Sequence, residues 1–210
     1  MQGENADFIG AWVQAIGNFL AALGSSLPDS EASLATNLGI YGNELQALGG
    51  GVQYVGTIWE GEDENNDVSS SQPMLPRQTS SCLERSPIAN IGQKENSLVS
   101  TGVLIGIVGN IFSTFHLAEV FSDSEIVNKP LGIGGNFLQA AGAYIATVAS
   151  GDEFQSLAYI GGMWQYYGAG LQGVSGLLQK ADLLDIIGSW IQFLGALFVA
   201  ISITEELENK

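Results

Sequence analysis

A single cysteine, Cys82, is all the thiol this chain carries, so no internal disulfide can form and nothing in the sequence demands an oxidising compartment. Basic residues are also scarce. Six Lys and Arg stand against 22 Asp and Glu, a formal charge of −16 with an isoelectric point near 4.1. Such a chain repels phosphate backbones and anionic headgroups alike, which argues against a nucleic-acid partner. One histidine, His116, with Glu119 a turn later, is too little for a metal site without a second cluster. The chain opens MQGENADF, with acid where a secretory leader carries a basic segment. A cytoplasmic protein is the expectation, and insertion into a membrane without a cleaved leader is the alternative.

Catalytic signatures are missing as well. Gly132, Gly134 and Gly135 follow a Lys-Pro pair with no strand leading into them, which is the wrong setting for a nucleotide fingerprint. Cys82 lies in a polar stretch near Arg77 and Arg85 without a fixed base. Acid pairs such as Asp152-Glu153, Asp182-Asp185 and Glu205-Glu206 sit where helix starts or a solvated tail account for them. No catalytic, cofactor-binding or metal-ligating residue is expected, no small-molecule substrate is identified, and the chain reads as a non-enzyme.

What is abundant is apolar sequence free of charge. Hydrophobic residues make up 46% of the 210, enough for a substantial core. Residues 8–28, 96–118, 130–151, 154–179 and 186–204 contain no Asp, Glu, Lys or Arg. These lengths suit core helices or bilayer spans. Asp7, Asp29-Ser30, Ser97, Asp152 and Asp182 stand as N-caps and Pro130 as a first-turn proline. The spacing predicts six helices, near 7–25, 31–59, 97–121, 130–149, 153–179 and 183–205. Residues 60–96 break the pattern with acids, serines, Pro73, Pro76 and Pro87, and read as a flexible polar insertion. The expected organisation is an N-terminal helical pair (1–59), the insertion (60–96) and a four-helix part (97–210) packed with the first pair as one domain.

The helices share a pattern, GxxxQxxG. It recurs at Gly10-Gln14-Gly17, Gly42-Gln46-Gly49, Gly49-Gln53-Gly56, Gly135-Gln139-Gly142, Gly161-Gln165-Gly168 and Gly188-Gln192-Gly195, and Gly102-Gly106-Gly109 has lost only its glutamine. Glycine inside a helix costs roughly 1 kcal/mol relative to alanine, so its repetition at one phase points to close backbone packing. These residues are the candidate helix-packing set. On a helix, positions four and seven apart fall on one narrow stripe. The third and sixth positions after the first glycine are apolar or aromatic in these six copies, as in Val13, Trp164, Ile16 and Tyr167. They are expected to widen the packing face to about 160°. The glutamines are expected to form an interhelical network, with solvated edge positions or a ligand or ion pathway as alternatives.

Segments such as IGAWVQAIGNFLAALG (9–24), GNFLQAAG (135–142) and IGSWIQFLG (187–195) resemble the units of an uncharacterised repetitive-protein family of Gram-positive spore-forming bacteria. That resemblance implies no activity. The expected fold is all-α, an antiparallel helical repeat array or bundle of about six helices. The expected function is structural or self-associating. A small multispanning or membrane-associated protein is the first alternative, favoured by the charge-free stretches and by the GxxxG spacing of Gly102 and Gly106. A small-molecule binder with an interhelical pocket is the second.

Overall fold

The computed structural model describes residues 2–70, 87–119, 125–178 and 182–209. It is all-α, with six helices: α1 (Gln2–Ser25), α2 (Ala32–Ser70), α3 (Pro87–Leu117), α4 (Glu125–Ala149), α5 (Leu157–Leu177) and α6 (Asp182–Glu208). A 3-10 turn, Asp29–Glu31, leads into α2. Helix α2 runs on past 59 and α3 starts before 97, so helical backbone enters the expected insertion from both sides. The centre of that insertion, residues 71–86 with Cys82, lies outside the described residues.

Several helix starts differ from the sequence reading. Asp7 and Ser97 fall inside α1 and α3 rather than capping them. Ser156, not Asp152, caps α5, its Oγ accepting from the Tyr159 N–H at 3.0 Å. Asp152 is engaged in the preceding loop, where the Ser150 hydroxyl lies 2.6 Å from its carboxylate. Pro130 lies within α4 rather than in its first turn. So near the helix start it removes one backbone bond and leaves the rest of the ladder intact.

The topology is a closed ring. Each helix packs against its neighbours in the chain, and α6 returns to pack on α1. Among the described residues no helix packs against one across the ring. Three tight hairpins, α1–α2, α3–α4 and α5–α6, are joined at three looser seams.

Glycine sets the hairpin spacing. A Cβ added to Gly49 would lie 2.5 Å from the Gly10 carbonyl oxygen, and one added to Gly10 would lie 2.6 Å from that of Gly49. The same reciprocal facing joins Gly17 to Gly42, Gly102 to Gly142, Gly109 to Gly135, Gly161 to Gly195 and Gly168 to Gly188. Backbones therefore touch without intervening side chains, two glycine pairs per hairpin. At two of the seams a different set of glycines acts as notches: Ile107 sits against Gly50, Ile133 against Gly176 and Phe137 against Gly173. The α1–α6 seam is built of alanine instead, with Ala11, Ala15, Ala196 and Ala200 buried together beside Trp12 and Ile203. Trp12 Nε1 donates to Thr204 Oγ1 at 3.1 Å and Trp190 Nε1 to Ser26 Oγ at 2.9 Å, so two indoles fasten the first helix to the last.

Among the described residues no large side chain is fully buried, and the buried hydrophobic residues are all alanines. This corrects the expectation that the apolar arc faces the core. Ile16 (52% exposed), Leu48, Val55, Trp164 and Tyr167 all stand on the outer surface. The small side of the repeat, Ala11, Asn43, Gly50, Gly162 and Ser189, is the side that is buried. Six helices in a ring touch only along narrow flanks, and glycine and alanine fill those flanks. The broad apolar face of each helix is left outside.

Candidate functional site

Because the packing flanks are narrow, a third face of every helix points to the ring axis. It is polar. Asn18, Asn43, Gln46, Asn110, Ser113, Gln139, Thr147, Ser189 and Gln192 are buried, and each lines at least one of two chambers along that axis. All six helices contribute to both. The larger chamber, about 730 Å³, lies toward the ends where α1 finishes and α2 begins; the smaller, about 310 Å³, lies toward the opposite ends. Asn18, Gln46 and Gln192 line both, so the chambers meet at their level.

The contacts that pair the glycines also fix which residues occupy equivalent places around the ring. Gly17 meets the backbone of Gln46, Gly109 that of Gln139, and Gly168 that of Gln192. Gln46, Gln139 and Gln192 therefore form one layer, one glutamine per hairpin, at 3%, 6% and 7% exposure. In the layer above, Gly49 meets the Gln14 backbone, Gly142 that of Gly106, and Gly195 that of Gln165. Gly106 stands where the other two hairpins carry glutamine. Nothing lies within 4 Å of where its Cβ would be, and it lines the smaller chamber. Gln14, Gln53 and Gln165 are half-buried lining residues of that same chamber.

A directed chain of hydrogen bonds passes through the central layer. Gln172 Nε2 donates to Gln192 Oε1 at 2.6 Å, Gln192 Nε2 to Gln139 Oε1 at 2.9 Å, Gln139 Nε2 to Ser113 Oγ at 3.1 Å, and the Ser113 hydroxyl to Asn136 Oδ1 at 3.3 Å. Gln192 and Gln139 each accept at one end and donate at the other, an arrangement in which successive bonds polarise one another. The Gln192–Gln139 bond joins α6 to α4, helices that do not pack together, and so spans the axis. The chambers meet at a closure of hydrogen-bonded carboxamides.

Charge is confined to the mouths. Asp7, Asp152 and Glu206 line the outer part of the smaller chamber; His116, Glu119, Lys129 and Asp185 line the larger one. Between them the lining is uncharged. Asn110 Oδ1 and His116 Nδ1 are buried atoms with no hydrogen-bonding partner among the described residues. Among the described residues no group of three or more His, Cys, Asp or Glu is arranged to hold a metal ion. Sequence reasoning placed the glutamines on the packing stripe and missed Asn18, Asn110 and Ser113. Their signal was available, since Asn18 lies four residues after Gln14 and Asn110 four after Gly106, on the same helical face.

Comparison with curated proteins finds no match, and neither does comparison with solved structures. A family model does match, over residues 5–200, and its family is described only as one of unknown function. The chain is a member of that family, DUF6944.

Proposed function

We propose that this protein is an integral membrane barrel that encloses a polar passage for small uncharged solutes. One observation carries the reading: polarity is inverted, with carboxamides, hydroxyls and small residues inside and large apolar side chains outside on every helix. A water-soluble bundle of this size would bury its Leu, Ile and Phe and would not expose an apolar patch beyond a few hundred Å². Three helical segments, Gly3–Ser25, Ser97–Leu117 and Asp182–Glu208, are long and apolar enough to cross a bilayer. The other helices carry more amide and glycine; among these residues Gln46, Gln139 and Gln165 line the lumen and Gly42, Gly142 and Gly168 face the hairpin partner. At about 1.5 Å per residue, the charge-free stretches span roughly 30 Å, the thickness of a hydrocarbon core. Glu44, exposed on α2, is the one described charge that interrupts the outer belt.

Two further features support it. Helices in lipid associate through small residues that let backbones approach, because the hydrophobic effect does not press them together. The glycine pairs and the alanine seam fit that rule. Hydroxyls are also satisfied within their own helices, Thr147 and Thr204 each donating to the carbonyl four residues earlier at 2.7 Å.

The test is fractionation of the full chain expressed in bacteria. Membrane-pelleted protein that resists carbonate and urea and needs detergent for release supports the reading. A large oligomer in the detergent-free supernatant would instead mean that copies of the chain cover the apolar faces, and the membrane reading would fall.

A further inference from the structure

The layer where the chambers meet is suited to choosing what passes. We propose that Gln46, Gln139 and Gln192 form a selectivity filter that admits small molecules carrying both hydrogen-bond donors and acceptors, such as water and urea, and bars ions. The proposal rests on the membrane-barrel reading and adds the solute class and the residues that set it.

The argument starts from what the closure offers. Within the chain that begins at the Gln172 amide, Gln192, Gln139 and Ser113 each give and take a hydrogen bond. A solute that enters by parting Gln192 from Gln139 must supply an acceptor to one freed amide and a donor to the other. Water and urea do both. An apolar molecule does neither and leaves both amides unpaired. A potassium ion can engage only oxygens, and cation filters replace a hydration shell with whole rings of carbonyl oxygens. Here one glutamine per hairpin is present, and the carboxamide oxygens and nitrogens of Gln139 and Gln192 are already committed to hydrogen bonds. An ion would lose its water and gain too little in return. The acidic mouth of the smaller chamber concentrates cations without supplying a path for them past the closure.

The experiment uses the full chain carrying Cys82→Ser, reconstituted in liposomes. Stopped-flow light scattering follows water and urea entry, and an ion-sensitive dye follows potassium. Expected are water and urea entry above protein-free vesicles, no added potassium flux, a loss of urea entry in Gln139→Leu/Gln192→Leu, and a gain of roughly tenfold in Gln139→Ala/Gln192→Ala, where the bond that holds the closure is gone. Potassium flux matching urea entry in the parent would overturn the filter, as would unchanged urea entry in both double variants.

Thiol labelling keeps the two failures apart and guards against a variant that does not fold. Ala143→Cys lines the smaller chamber and Ala21→Cys the larger. A membrane-impermeant maleimide should reach each from one face only, and from both faces once Gln139 and Gln192 are alanine. Labelling of neither position from either face removes the lumen itself and with it the underlying reading. Labelling of both positions from both faces in the parent leaves the barrel standing and removes the closure.

Discussion

Adding one methyl group to each of two glycines in α4 should move stability in opposite directions. At Gly142 a Cβ would lie 2.5 Å from the Gly102 carbonyl oxygen, 2.5 Å from the Gly106 nitrogen and 2.9 Å from the Gly106 Cα. At Gly134 nothing lies within 4 Å. Both substitutions gain the same helix propensity, roughly 1 kcal/mol, so their difference isolates the contact. All three atoms around Gly142 are backbone, and restoring ordinary carbon contacts of 3.5–4.0 Å requires α3 and α4 to separate by roughly 1 Å. Overpacking of this kind costs about 1–3 kcal/mol. In a chain of this size each kcal/mol is worth about 2–4 °C, which puts Gly142→Ala roughly 2–12 °C below Gly134→Ala, with Gly134→Ala above the parent. Far-UV circular dichroism during heating in one detergent measures it. Coincident melting of the two variants would refute the claim that paired glycines hold the hairpins together.

Replacing Gln192 by leucine strands Gln172 Nε2 and Gln139 Oε1 together, and should destabilise by about 1–3 kcal/mol for each polar atom left unpaired, against little change for Gln53→Leu at a half-buried position; chemical denaturation in micelles compares them. Trp12→Phe with Trp190→Phe removes both indole bonds across the α1–α6 seam, and hydrogen exchange should quicken in those two helices while α3 and α4 stay protected. A lysine at Ile111, which faces outward, should impair membrane insertion by about 2.5–3.5 kcal/mol, read as protein lost from the membrane pellet. With an even number of crossings, tags on the two termini should be protected by the same face of sealed vesicles.

Helix number and glycine phase were legible because both are local properties. A charge-free stretch bounded by acids declares a helix, and glycine at a seven-residue spacing declares a flank. Helix starts were read less well: Asp152 and Ser156 are equally good caps by type, and only the path of the α4–α5 loop decides between them. Ring closure is not local at all, since Trp12 and Thr204 meet across 192 residues. The direction of the apolar arc was misread for another reason. Ile16, Leu48 and Trp164 look the same in sequence whether a helix turns them toward a core or toward the outside. The asparagines that share the glutamine face, Asn18 and Asn110, are the counter-signal, since both are buried on the side that lines the chambers.

The glycine at position 106 bears on how such a molecule can change over generations. Three separate hairpins assembling as identical copies would have to alter all equivalent sites at once, so any lining residue would appear threefold or not at all. One continuous polypeptide escapes that constraint. Its walls can be revised singly, leaving one side smooth where two others bear an amide, and lopsided recognition of an asymmetric guest becomes accessible by point substitution.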